Sequence, residues 1–181
     1  PLSDPPVMSA GATLSYTENE AATIIDNTIT ITDDDDIEID GGTVTITSGF
    51  TTGDTLTLTT QFGIRGTYDS LTGILTISGT ASLSEYETAL QSITYHSTSV
   101  DPTITESSRT ISWTVTDANS ETLGAEISTA VTSTINITPI NDPPVMTAGG
   151  SLSYTENSSP AAIDNTITIT DDDDIQINGA T

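Results

Sequence analysis

This 181-residue chain carries 26 acidic residues against two arginines, Arg65 and Arg109, with neither lysine nor cysteine, for a formal net charge of −24. That charge makes nucleic acid, anionic membrane and other acidic partners poor fits, and the missing cysteine excludes disulfides, thiolate metal sites and a thiol nucleophile. A lysine-free chain cannot form lysine–asparagine isopeptide staples either, so stiffness has to come from packing or bound ions.

High charge with few aromatics also accompanies disorder. Here the apolar residues alternate regularly, and threonine, with 38 copies, is the commonest residue. A β-branched side chain that is depleted in helix interiors moves the weight to strands. No apolar run approaches the roughly 20 residues of a membrane span, and no signal peptide is visible. The chain opens in mid-repeat, which suggests a piece of something longer with its targeting signals elsewhere.

In chain order, alternation predicts strands at Leu14–Thr17, Thr28–Thr32, Thr43–Thr47, Thr55–Thr59, Ile64–Tyr68, Gly73–Ser78, Thr110–Thr116 and Ile127–Thr138. One segment departs from this. Leu83, Tyr86, Leu90 and Ile93 recur at helical spacing, and Ser82 with Glu85 forms a capping-box pattern, so Leu83–Ser92 reads as a short amphipathic helix. Strands at this density with turn signals between them suggest an antiparallel β-sandwich carrying one short helix. The candidate core is Ile29, Ile31, Val44, Ile46, Leu56, Leu58, Leu75, Ile77, Ile111, Trp113, Val115, Ile135 and Ile137.

The chain repeats itself. Between residues 16–43 and 154–181, 20 of 28 positions are identical at a fixed offset of 138. Asp4-Pro5-Pro6-Val7-Met8 likewise returns as Asp142-Pro143-Pro144-Val145-Met146. A domain-sized period points to beads on a string: residues 1–141 form a complete repeat and 142–181 the first strands of the next. Ile140 to Val145, with its two prolines, makes a short, semi-stiff connector.

The chemistry concentrates in Asp33-Asp34-Asp35-Asp36 at the end of a strand, repeated as Asp171 to Asp174. Unit charges about 4 Å apart repel by roughly 1 kcal/mol in water and several-fold more near a protein surface, so a cation is expected. Antiparallel strand order puts Asp4, Asp33 to Asp36 and Asp117 at one end of the repeat. It puts Glu18, Glu20, Asn141 and Asp142 at the other, facing Asp171 to Asp174 of the next copy. An oxygen-rich, nitrogen-poor ligand set suits calcium over magnesium or softer metals. The EF-hand pattern does not fit, because Ile37 stands at the third ligand position and the required glycine is missing. A solvated acidic turn is the plain alternative.

These residues resemble a cadherin-type repeat. Tyr16-Thr17-Glu18-Asn19 is similar to that family's Pro-Glu-Asn, and Thr32-Asp33-Asp34-Asp35 to its Asp-x-Asp. Tyr68-Asp69-Ser70-Leu71-Thr72-Gly73-Ile74-Leu75 is similar to its Phe-x-Ile-Asp-x-x-Thr-Gly-x-Ile. Thr114-Val115-Thr116-Asp117 matches its strand ending in Ala-x-Asp, and Ile140-Asn141-Asp142-Pro143-Pro144-Val145 its Asn-Asp-Asn-Ala-Pro linker. The resemblance implies calcium ions between consecutive domains. Glu18, Asn141, Asp142, Asp171 and Asp173 would hold the internal junction, and Asp4, Asp33, Asp35 and Asp117 the N-terminal one. The family's Leu-Asp-Arg-Glu is replaced by Leu83-Ser84-Glu85-Tyr86-Glu87. The long, threonine-rich, lysine-poor period resembles the cadherin-like repeats of giant bacterial adhesins of the calcium-dependent RTX type, although the glycine-rich RTX nonapeptide is absent.

The function implied is a calcium-rigidified extender of a secreted bacterial surface adhesin, with neighbouring repeats as partners. The alternative is a binding module for glycan or for another copy, with Trp113, Tyr95 and His96 as part of its surface; Trp113 on an alternating strand reads first as core, and His96 after the helix as a loop or packing histidine. One histidine and no lysine or cysteine leave few catalytic arrangements. A paired-carboxylate glycosidase is the enzymatic form that the residue counts allow, but the acids cluster at the expected junctions and not in a pocket, so no enzyme is expected.

Overall fold

The structure, a computed structural model, describes residues 4–119 and 124–180. The chain divides into two units, residues 1–139 and 140–181. The first is mostly β, with several sheets and one short helix.

Its strands are β1 (Val7–Ser9), β2 (Thr13–Thr17), β3 (Thr23–Ile24), β4 (Thr30–Thr32), β5 (Glu38–Ser48), β6 (Asp54–Thr57), β7 (Arg65–Asp69), β8 (Ile74–Ser82), β9 (Thr94–Ser97), β10 (Ser108–Asp117) and β11 (Val131–Thr138), with helix α1 (Leu83–Gln91) between β8 and β9. A six-stranded sheet runs β2-β11-β10-β5-β8-β7; β3-β9-β6 form a second sheet and β1-β4 a third. Each predicted strand is present at its centre. The last one starts at Val131 and not at Ile127, which forms an isolated bridge to Thr116.

The wholly antiparallel order expected from the sequence is broken at one place. β2 pairs in parallel with β11, Thr13 opposite Thr134 and Thr17 opposite Thr138. Both strands run toward the end of the unit from which the chain leaves, so they can be neighbours only in parallel.

All thirteen candidate core residues are buried. Alternation puts Ile111, Trp113 and Val115 of β10 inward and Ser112, Thr114 and Thr116 outward. The inward residues of the sheets join Tyr86, Ala89 and Leu90 of α1 in one apolar cluster. At roughly 1.5–3 kcal/mol per fully buried large apolar side chain, this cluster is what offsets the chain entropy of an unstapled fold. β5 crosses the sheet through Gly41-Gly42, where it bulges. A side chain on Gly42 would collide with the carbonyl oxygen of Thr114 on β10, so glycine is required for the two strands to approach.

Helix α1 starts at a capping box: Glu85 accepts hydrogen bonds from the Ser82 N–H (3.1 Å) and Oγ (2.7 Å). Its opposite end serves the sheet. Glu87 accepts the Ile31 N–H (2.7 Å) and Gln91 donates to the Ile29 carbonyl (2.8 Å), so the helix satisfies backbone groups along β4.

Two buried polar networks tie the elements together. Trp113 donates from Nε1 to Ser133 Oγ (3.0 Å), which donates to Asp26 (2.6 Å). Asp26 also accepts the N–H groups of Gly11 and Ala12 (both 3.0 Å) and both donors of Thr28. Burial alone would raise the Asp26 carboxyl; these hydrogen bonds overcome it and hold the group well below the usual carboxylate range. In the second network Arg109 Nε meets Asp54 at 2.6 Å with both side chains fully buried. The rest of its guanidinium donates to the carbonyls of Pro102 (2.6 Å), Glu106 (2.8 Å) and Ser108 (3.3 Å), while Tyr95 donates to the other Asp54 oxygen (2.7 Å).

The second unit has β12 (Val145–Thr147) paired with β13 (Thr168–Thr170) in the register of β1 with β4. Asp164, the counterpart of Asp26, accepts the N–H groups of Gly149 (3.0 Å) and Gly150 (2.6 Å) and both donors of Thr166.

Candidate metal centre

Strand pairing gathers the acids at one end of the first unit. β1 opposite β4 puts Val7 against Thr32, so Asp4 arrives where Asp33 begins, and the Asp4 N–H donates to the Asp35 carboxylate (3.2 Å). β10 ends at Asp117 opposite Ile39, which brings that residue to the same end.

Within this group Asp33, Asp35 and Asp36 each offer a carboxylate oxygen, all within 4.8 Å of one another. Asp33 organises the turn: its Oδ1 accepts the N–H groups of Asp35 (3.1 Å) and Asp36 (3.0 Å). Its Oδ2 is buried and has no hydrogen-bond partner in the structure. Burial raises the Asp33 carboxyl above its usual range, and the neighbouring Asp35 carboxylate adds to the rise against the opposing backbone N–H groups. A buried carboxylate oxygen without a donor is a cost, and a hard cation with oxygen ligands is the group that removes it. The residues present therefore fit a metal ion. A cavity of about 310 Å³ beside them is lined by Asp4, Pro5, Val7, Thr32, Asp33 and Asp34.

The arrangement refines the expected ligand set. Asp36, which the sequence reading left outside its ligand set, is buried and joins the triad; a run of four identical residues cannot show from sequence which of its members turn inward. Asp117 stands at the right end but outside the triad, and its carboxylate accepts the N–H groups of Asn119 (3.1 Å) and Glu126 (2.9 Å). Glu85 and Glu87 are committed to the helix cap and to β4. At the opposite end Glu18 is buried, with its N–H on the Thr138 carbonyl (2.9 Å), beside the exit of β11.

The second unit repeats the turn. Asp171 Oδ1 accepts the N–H groups of Asp173 (3.1 Å) and Asp174 (3.0 Å), and the Asp142 N–H donates to the Asp173 carboxylate. Asn141, Pro144, Asp171 and Asp174 share a cavity of about 260 Å³. Of the expected internal-junction ligands, Asn141, Asp142, Asp171 and Asp173 thus lie in the second unit and Glu18 in the first.

The aromatic surface weighed for glycan binding is absent. Trp113 and Tyr95 are fully buried, Tyr95 packing edge-on to Tyr16 at 4.9 Å, and His96 is half-buried on β9. Alternation on β10 placed Trp113 inward; the ring is core and not a binding face. Among the described residues no helix is long and apolar enough to cross a membrane.

No protein-family model matches the chain. An alignment 86 positions long, covering 44% of the chain, is 42% identical to halomucin of the archaeon Haloquadratum walsbyi, and spans 1% of that protein's length. Halomucin is a very large surface glycoprotein with repeats.

Proposed function

We propose that this chain is a structural repeat of a large extracellular surface protein, a cadherin-like β-sandwich module whose ends are stiffened by calcium, with adhesion as the role of the whole. The observation that carries the reading is the Asp33–Asp35–Asp36 triad with its buried, undonated Asp33 oxygen; the hydrogen-bonded turn beneath it, though not the burial of Asp36, recurs at Asp171 to Asp174. Similarity to a repeat-bearing surface glycoprotein supports the extracellular placement.

Asp33 folds the turn through its Oδ1 and presents its Oδ2; Asp35 anchors the incoming chain at Asp4 while offering carboxylate to the ligand set. Asp171 and Asp173 do the same beside the proline-rich connector. Bound calcium supplies the positive charge that the lysine-free sequence omits. Asn141 and Asp142 of the connector, with Asp171 and Asp173 of the turn, would hold such an ion and so tie the connector to the turn, which suits an extender.

Thermal melts in EDTA, in magnesium and in calcium test this. At calcium about 100 times its dissociation constant the folded state gains about 2.7 kcal/mol, and D33N/D35N removes the gain from the first unit while keeping the fold. Coincident melts in calcium and EDTA, together with no terbium luminescence sensitised by the protein, would sink the proposal.

A further inference from the structure

β7 is the outermost strand of the six-stranded sheet, and no strand covers its far side among the described residues. A free edge is a row of unpaired backbone donors and acceptors that another chain can extend. What distinguishes this edge is its charge. Arg65, Thr67 and Asp69 are exposed and share one face of the strand. Of the two cations in the sequence, Arg109 is buried on Asp54, which leaves Arg65 as the exposed one. On a chain of net charge −24 most surfaces repel their copies; this strand carries an exposed plus and an exposed minus four residues apart.

The spacing is self-complementary. Pairing two copies of β7 antiparallel about a two-fold axis through Thr67 puts Arg65 of each copy opposite Asp69 of the other. The backbone agrees. Asp69 turns its carbonyl toward β8, accepting the Gly73 N–H at 3.0 Å. Peptide groups alternate along a strand, so Gly66 and Tyr68 turn theirs to the free side. In this register Gly66 of one copy faces Tyr68 of the other, and they exchange hydrogen bonds. Arg65 and Asp69 then stand at the non-hydrogen-bonded positions, where cross-strand side chains are closest. Asp69 is held ionised for the purpose: the Leu71 N–H (2.9 Å) and the Thr72 donors keep its carboxyl below the usual range.

We infer that β7 is a homophilic edge: a second copy of this chain adds its own β7 antiparallel, joining the two six-stranded sheets, with reciprocal Arg65–Asp69 pairs fixing the register. A five-residue edge is a small, weak interface. Repetition along an array turns weak contacts into avidity, which suits a surface protein meeting its own kind.

The full chain in EDTA, which removes calcium bridging, is examined by sedimentation equilibrium at about 0.15 M salt, where the Debye length is about 8 Å, up to about 1 mM protein. Self-association is expected. R65D and D69R each weaken it roughly tenfold or more, while R65D/D69R, which exchanges the partners, restores it. T67C adds the sole cysteine at the proposed axis, where cross-strand Cβ atoms lie about 4.5–5.5 Å apart, and oxidation yields a covalent dimer; T76C, on the neighbouring strand β8, does not. A monomeric wild type, a double reversal that stays as weak as the singles, or equal crosslinking through T67C and T76C overturns the inference. Circular dichroism melts of each exposed-site variant check that the fold is kept.

Discussion

Arg109→Met is the substitution with the largest effect that the structure predicts outside the apolar core. Arg109 is completely buried, and its guanidinium makes four hydrogen bonds, one to Asp54 and three to the carbonyls of Pro102, Glu106 and Ser108. Methionine keeps much of the volume and removes all the donors. Asp54 is then a buried carboxylate held by the Tyr95 hydroxyl and the Thr51 N–H (2.9 Å) without its counter-charge. Breaking one side of a buried pair costs about 3–5 kcal/mol. At about 3 °C per kcal/mol for a unit of this size, the melting temperature falls by about 10–15 °C. Urea unfolding, followed by Trp113 fluorescence, reads the change as a lower midpoint. The reasoning makes a second demand. Arg109→Met with Asp54→Leu removes both charges, so the pair should cost less than the sum of the singles by about 1.5 kcal/mol or more. A single variant within about 1 kcal/mol of wild type, or strictly additive singles, would show that the buried pair is not what fixes the loop from Pro102 to Ser108.

Asp26 predicts a pH dependence. Its folded-state pKa is depressed, so its stabilisation is present above the ordinary carboxyl pKa of about 3.9 and is lost as pH falls below that value. Asp26→Asn should therefore destabilise by about 2 kcal/mol at pH 7, with the gap to wild type in urea melts narrowing by about 1 kcal/mol at pH 3 and further below it; a gap that stays constant with pH refutes the assignment. Gly42→Val places a branched side chain against the Thr114 carbonyl, and forced repacking of this kind costs about 1–3 kcal/mol. A Gly42→Val melt equal to wild type would mean that β5 and β10 can separate there freely.

Much of the first unit is readable from its sequence because the information is local or periodic. Period-2 alternation marked the strand centres and all thirteen tested core positions, and the Ser82–Glu85 spacing marked the helix start. Opposing strand directions were enough to bring Asp4, Asp33 to Asp36 and Asp117 to one end. What the sequence concealed depends on partners far apart in the chain. The sequence offers Arg109 no partner; the fold sets it on Asp54, 55 residues away. Nothing in the run of four aspartates singles out Asp36. The Asp26 network did leave a trace, since Ile25-Asp26-Asn27-Thr28 returns as Ile163-Asp164-Asn165-Thr166, an aspartate two residues before a threonine in the pattern of an Asx-turn.

The two copies separate the contributions directly. Nearly the same residues in both units build the same Asp33 and Asp171 turns, the same local donors on Asp26 and Asp164, and the same short strand pair, because each of these is closed by neighbours within about 30 residues; the Ser133 hydroxyl on Asp26, 107 residues away, has no counterpart on Asp164 among the described residues. Burial does not follow. Tyr16 is 0% exposed and Tyr154 56%; Met8 is 7% exposed and Met146 63%. Residues 14–17 form a strand, whereas the like sequence at 152–155 does not, since β2 owes its pairing to β11, more than 110 residues away in the chain. Sequence alone determined the turns, the acids and the alternation. Only the tertiary structure, by supplying the distant partner strands, decided which of those side chains leave water.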